Sequence, residues 1–201
     1  MSTPSTHTQL SKFVSLVLRH DPAVIGATLD AQGWLPVAVL IQGAKDKGLP
    51  LSLEGLHEIV RQCPKQRFRL SEDGQHIRAN QGHSLPVDLQ LASVEPPDEL
   101  LHGTADRFLA AILKEGLVRG SRQHVHLTTS RETALSVGSR YGRVVLLSID
   151  ARRMRQEGHP FFRSDNGVWL TDHVPPECLA VLPSETRASH SSGAVQNEST
   201  T

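Results

Sequence analysis

Apolar residues in the first quarter of the chain recur at helical spacing. Leu10, Phe13, Val14, Val17 and Leu18 share one helix face, with Thr6 or Thr8 as N-cap and Asp21-Pro22 as the stop. Val37, Leu40, Ile41 and Ala44 predict a second helix over about 37–47, closed by Gly48. A third begins near Ser52, turns Leu53, Leu56, Ile59 and Val60 inward, and ends before Pro64. The period then falls to two: "RFRLSEDGQHIRA" reads as a strand, an Asp-Gly turn and a second strand. Three helices followed by a hairpin is the element order of a winged-helix module, assigned to residues 8–93.

The pattern changes at "VEPPDE", residues 94–99, where two prolines and three acids predict an extended, solvated connector. Beyond it, in 100–183, short strand and helix signals alternate. "LLHGT" is a strand leading into a helix over about 105–114, closed by Gly116. "HVHLT" alternates with period two, a helix follows near 131–137, and "RVVLLSID", "FFRS", "VWL" and "CLAVL" are further strands. Many short strands with small helices predict an α+β unit on a bent or split sheet, not a doubly wound parallel one. Residues 1–7 read as a frayed N-terminus, and 184–201 as a disordered tail too poor in apolar residues to offset ordering entropy.

Composition narrows the partners. The 201 residues carry 21 Lys+Arg and 21 Asp+Glu, so the molecule as a whole does not attract nucleic acid and any basic site is local. Cys63 and Cys178 stand far apart, which suits a reducing compartment and gives neither a disulfide framework nor a CxxC knuckle. No apolar run approaches the roughly 20 residues that span a bilayer, and no signal-peptide pattern opens the chain. The expectation is a soluble cytoplasmic protein with no membrane partner.

The candidate chemistry is cationic. Arg19-His20 at a helix end has a plain reading, complementing the macrodipole by ~0.3–1 kcal/mol. Its sharper reading is an anion site, a guanidinium forked onto phosphate beside a proton-exchanging imidazole; the dipeptide alone leaves both open. In "KQRFRL", Arg67 and Arg69 face away from Phe68 and Leu70, either solvated or laid along a nucleic-acid backbone. Gln81, Gly82, His83 and Ser84 offer amide, flexible backbone, imidazole and hydroxyl after the hairpin. In His102-Gly103-Thr104 the glycine allows a ligand close to the backbone, and its neighbours supply hydrogen bonds. His124 and His126 share a strand face, but with no third ligand nearby in sequence a metal is not expected. Arg122 is one more cation at that strand. The chain has no GxGxxG, no GxxxxGK[ST], no DxD and no GxSxG, so its visible tools hold anions and stabilise negative charge.

Taken in order, "SKFVSLVLRHDP", "GW", "KQRFRL", "IRANQGHS", "LLHGT", "GLVRGSRQHVHLT" and "NGVWLT" resemble the NAD-dependent RNA 2′-phosphotransferases over about Ser11 to Leu182. The resemblance implies a winged-helix RNA lobe joined to an ADP-ribosyltransferase-like NAD lobe, and a two-step reaction with NAD consumed as co-substrate. The RNA 2′-phosphate attacks the nicotinamide-bearing ribose carbon, giving a 2′-phospho-ADP-ribosylated RNA. The adjacent 2″-hydroxyl then attacks phosphorus, leaving 2′-hydroxyl RNA and ADP-ribose 1″,2″-cyclic phosphate. The family's essential Arg-His-Arg-Arg set falls on Arg19, His20, Arg67 and Arg122. The arginines are expected to clamp the phosphate and His20 to assist proton movement in the second step. His102, Gly103 and Thr104 match the NAD-contacting motif, and Gln81, His83 and Ser84 are assigned to the lobe junction. No metal is implied, a tRNA-like RNA is the expected partner, and a monomer suffices. The chain departs from the pattern at Cys63-Pro64, where polar residues are usual, and at Leu101, where tyrosine often precedes HGT. Two other readings use the same residues: ADP-ribosylation of a nucleic-acid terminal phosphate or a protein, and an NAD-sensing nucleic-acid-binding protein without catalysis.

Overall fold

The computed structural model describes residues 6–183, so the expectations for 1–5 and 184–201 lie outside the described residues. Helix α1 (Thr6–Arg19) starts earlier than expected, which places Thr6 and Thr8 inside it and not at its cap. It ends as Asp21-Pro22 requires, with the His20 and Asp21 amides both donating to the Leu16 carbonyl at 2.9 Å. A 3₁₀ turn over Pro22–Ile25 leads to β1 (Leu35–Pro36), then α2 (Val37–Asp46) and α3 (Leu53–Gln62). Ile25 packs where a Cβ on Gly43 would sit, so α2 needs glycine there. Ser52 caps α3, its Oγ accepting from the Gly55 amide at 3.1 Å. Strands β2 (Phe68–Leu70) and β3 (His76–Ala79) complete a three-stranded antiparallel sheet in the order β1-β3-β2. The helices and this sheet bury one apolar cluster, with Val14, Val17, Leu18, Leu40, Leu56, Ile59, Phe68 and Ile77 at its centre. Leu53, expected inside, is 45% exposed at the first position of α3, while Leu56 and Ile59 one turn and more further on are buried.

The second half builds its own core. Strand β4 (Glu99–Ala105) is followed by α4 (Asp106–Glu115), β5 (Leu117–Val118), β6 (Val125–Leu127) and α5 (Arg131–Gly138). Then come β7 (Val144–Asp150), α6 (Ala151–Gln156), β8 (Phe162–Arg163), β9 (Trp169–Thr171), β10 (His173–Val174) and β11 (Leu179–Val181). All strand pairs are antiparallel, in sheets β11-β7-β4, β6-β9-β8 and β10-β5. A bridge between Leu101 and Thr128 joins β4 to the segment after β6. Leu100, Leu127, Leu147, Ile149, Met154 and Phe161 are buried between these sheets. The molecule is α+β. The connector at 94–99 is extended but tethered: the Val94 amide donates to the Phe161 carbonyl at 2.8 Å, Pro96 is buried, Arg155 pairs with Glu95, and Glu99 is already in β4. Among the described residues no helix is long and apolar enough to cross a membrane.

The two clusters meet along the β2–β3 hairpin. The turn between β8 and β9 carries Asp165, whose Oδ2 accepts from Arg69 Nη1 at 2.7 Å and Arg78 Nη2 at 3.5 Å. Both guanidiniums lie over the Trp34 ring, at 5.1 and 4.7 Å from its centroid. Asn166 beside it donates to the Lys65 carbonyl at 2.8 Å.

Candidate active site

Where α1 breaks, its last turn meets the start of β2. Arg19 Nη2 donates to the Arg67 carbonyl at 3.5 Å, and the guanidinium lies 5.9 Å from the Phe68 ring centroid. Gly82, at φ +87°, covers its other side: a Cβ there would stand 3.6 Å from Arg19 Cζ. The following Ser84 closes back on the helix end, its amide donating to the Arg19 carbonyl at 2.9 Å. Its hydroxyl lies 3.0 Å from His20 Nδ1 and 3.4 Å from that same carbonyl. With the hydroxyl hydrogen directed to the carbonyl, Nδ1 is the donor and Nε2 is left as the base of the neutral ring.

Arg67 is fixed by Cys63, whose Sγ accepts from the Arg67 amide at 3.5 Å and from Nη1 at 3.4 Å. Burial raises the thiol pKa, but hydrogen bonds from the Arg67 and Lys65 amides and the Arg67 charge outweigh it and hold it below the ordinary value. The departure at Cys63-Pro64 therefore supplies a second anchor for Arg67.

The second unit contributes Arg122, just before β6. Its Nη1 donates to His126 Nδ1 at 2.8 Å, and the His126 carbonyl accepts from His102 Nδ1 at 2.9 Å. Burial, then Arg122 and Arg19, push His126 down to about 3, so its ring is neutral and free to accept. His102 is also lowered, mainly by burial and also by Arg122, against the opposing bond to the His126 carbonyl. Burial followed by Arg67 and Arg122 brings Arg19 down to about 10. His20 is lowered by burial, Arg19 and Arg122. Arg19 is bonded to the Arg67 carbonyl and His20 to Ser84, while the Gln123 amide beside Arg122 donates to the His83 carbonyl next to Ser84, so Arg122 approaches the same end of α1; among the described residues no carboxylate pairs with any of the three guanidiniums.

The other expected residues divide. Gln81 is half-buried one residue ahead of Gly82, while His83 is 1% exposed, its carbonyl accepting from the Gln123 amide at 3.2 Å. Neither His83 ring nitrogen finds a partner among the described residues. Burial, then Arg19, His20 and Arg78, push that ring down to about 4. Gly103 does not open the backbone to a ligand on its Cβ side: a Cβ there would lie 1.7 Å from the Ala134 carbonyl oxygen, so helix α5 fills that space. Thr104 is buried, and only His102 of the three reaches toward Arg122. His124 and His126 part company, since His124 lies 3.9 Å from Asp172 and edge-on to Phe162. No group of three His, Cys, Asp or Glu able to hold a metal occurs among the described residues. Sequence reasoning did not single out Asp165, Gln123 or the role of His126 as acceptor for Arg122. Only the fold brings these to the contact between the units.

Three guanidiniums without acidic partners, beside a neutral imidazole, are a donor set suited to an anion in an α+β protein. The chain belongs to the RNA 2′-phosphotransferase, Tpt1/KptA family, whose profile matches residues 5–173. A probable RNA 2′-phosphotransferase of Acaryochloris marina is 54% identical over 168 residues, covering 84% of this chain and 93% of the relative. One from Hahella chejuensis is 55% identical over 172 residues (86% and 92%), and one from Agrobacterium fabrum 55% over 174 residues (87% and 94%). Membership makes the chain a transferase enzyme.

Proposed function

We propose that the chain removes an internal 2′-phosphate from RNA, of the kind left at a tRNA splice junction, with NAD as a consumed co-substrate. The observation that carries this reading is the convergence of Arg19, His20 and Arg67 from the first unit with Arg122 from the second, uncompensated by acids. An RNA phosphate beside an anionic dinucleotide fits that charge. NAD supplies the ribose carbon that receives the phosphate, and the products are 2′-hydroxyl RNA, nicotinamide and ADP-ribose 1″,2″-cyclic phosphate.

The chain's own residues act on charge and protons. Arg19, Arg67 and Arg122 surround the phosphate and donate to its equatorial oxygens, where a loose transition state spreads negative charge. His126 holds Arg122 by its Nδ1, and Cys63 holds Arg67, so both guanidiniums are oriented before substrate arrives. His20, lowered by burial and the two arginines, stays neutral at pH 7 and accepts the proton of the hydroxyl that attacks phosphorus in the second step. His102 is the part of the HGT motif that faces NAD; Gly103 and Thr104 set the strand against α5.

The helix, strand, two helices and hairpin of the first unit support a winged-helix RNA lobe over 8–93, with 94–99 leading to an ADP-ribosyltransferase-like NAD lobe over 100–183. A single chain carries the whole clamp, so the active form is read as a monomer. Its two free cysteines suit the cytoplasm.

The test is to mix the protein with NAD and an RNA bearing one internal 2′-phosphate. Phosphate loss with cyclic-phosphate ADP-ribose formation is expected. A stable ADP-ribosylated product identifies a transferase that stops after one step, and tight binding without nicotinamide release refutes catalysis.

A further inference from the structure

The reactive phosphate is attached to a polymer, and the neighbouring nucleotides need a path away from the clamp. A groove of about 440 Å³ runs between α1 and the C-terminal end of α3, and His20 and Arg67 form one end of it. From there the solvent face of α1 continues through Leu16 and Lys12 to Thr8, one residue per turn at i+4 spacing. Twelve residues of helix carry that face about 18 Å from His20. Ser11 and Ser15 line the same side.

Three properties of the groove select its occupant. Its lining includes cations and neutral hydrogen-bonding groups but no carboxylate, which favours a polyanion. Leu16, 40% exposed on a helix whose other leucines are buried, gives an apolar platform beside Lys12. The groove is also continuous with the phosphate clamp through two side chains.

We propose that this groove is the subsite for the single-stranded nucleotide flanking the 2′-phosphorylated one, with Lys12 on its backbone phosphate and its base packed on Leu16. Ser11 and Ser15 offer hydroxyls to the same phosphodiester. The proposal deepens the reading above and rests on it for the identity of the polymer. The phosphate contact adds affinity without reading sequence, and a non-directional apolar contact accepts any base.

The experiment is equilibrium binding of fluorescently labelled RNA to the full chain without NAD, so that nothing turns over. A hexaribonucleotide with one internal 2′-phosphate is compared with the 2′-phosphorylated dinucleotide alone. Lys12→Glu is expected to weaken hexamer binding about tenfold, to shrink its advantage over the dinucleotide, and to reduce the slope of log Kd against log salt by about one. Leu16→Ser is expected to weaken hexamer binding about fivefold with the wild-type salt slope, as loss of an apolar contact surface requires. Both residues lie on the outer face of α1, and an unchanged urea midpoint shows the fold intact. Wild-type hexamer affinity in both variants, or an equal loss for dinucleotide and hexamer, overturns the proposal. A groove that takes a peptide or a second copy of the chain gives that first result. If the wild-type protein binds RNA but releases no nicotinamide with NAD, the proposed function fails, while the same ratio of hexamer to dinucleotide binding still decides the groove.

Discussion

Replacing Asp165 by alanine removes the carboxylate shared by Arg69 and Arg78 at the contact between the two units. Its cost follows from burial. The Arg78 side chain is only 8% exposed, and apart from Asp165 its guanidinium has the Gln32 carbonyl at 3.4 Å and the face of Trp34. Stranding a fully buried charge costs about 3–5 kcal/mol, whereas exposed pairs contribute at most about 1. Here the carboxylate is 39% exposed, so solvent screens part of the loss and the expected destabilisation is about 2 kcal/mol. A double-mutant cycle isolates the cause. In an Arg78→Met background the buried charge is gone, so Asp165→Ala costs less, with a coupling of about 1–2 kcal/mol by urea denaturation. Loosening this contact also frees Arg122 to drift from Arg19, and kcat is expected to fall about ten- to a hundredfold in Asp165→Ala. A coupling below about 0.5 kcal/mol together with wild-type kcat refutes the reasoning.

Three further outcomes are expected. The His83 ring titrates at about 4 in the fold against 6.5 unfolded, so the unfolded chain protonates first as pH falls; the His83 share of stability is full well above pH 6.5 and drops by about 2 kcal/mol by pH 5, beside a similar loss from His126 at about 3. His83→Leu removes the His83 share and leaves the His126 share, so the curve becomes about half as steep there; an unchanged dependence of the urea midpoint on pH contradicts the assignment. Arg67→Ala is expected to keep the wild-type melting curve yet lose about 10²–10³-fold in the second step, seen as accumulation of ADP-ribosylated RNA; wild-type rates remove Arg67 from the clamp. Gly103→Ala places a methyl on the Ala134 carbonyl and is expected to cost about 3 kcal/mol or more, so a wild-type melting temperature contradicts the packing of α5 on β4.

What was legible in the sequence depended on how much surface each element buries. The face of α1 was plain because Val14, Val17 and Leu18 are all fully inside. Helix α6 escaped notice because its six residues, ARRMRQ, bury only Ala151 and Met154, too few to show a period. Strands β1, β5 and β10 are two residues long and carry no alternation to read. Within the site, local sequence marked the cations but not their fates. Local sequence makes Gly103 a place of ligand approach, and only packing shows that α5 occupies its Cβ side. Asp165 has the sequence context of any turn residue, because its partner Arg78 lies 87 positions away and Arg69 further still.

Arg67 and Arg69 show how one fold sorts its positive charges. They stand two residues apart at β2, and the sequence treats them as a pair. Arg69 receives a carboxylate and an aromatic face, so its charge is consumed in joining the units. Arg67 receives a thiol, which orients the guanidinium through hydrogen bonds but leaves its charge largely uncompensated. Arg122 is treated alike: a neutral imidazole accepts one of its protons where an acid would have neutralised it. The lowered pKa of Arg19 registers the resulting repulsion as well as its burial. An acid thus serves the arginines at the contact between the units, and neutral acceptors serve Arg67 and Arg122, the arginines of the proposed clamp. On the proposed function these arginines are oriented without being satisfied, so a phosphate bound among them would relieve repulsion that folding left in place, and binding would draw on that relief.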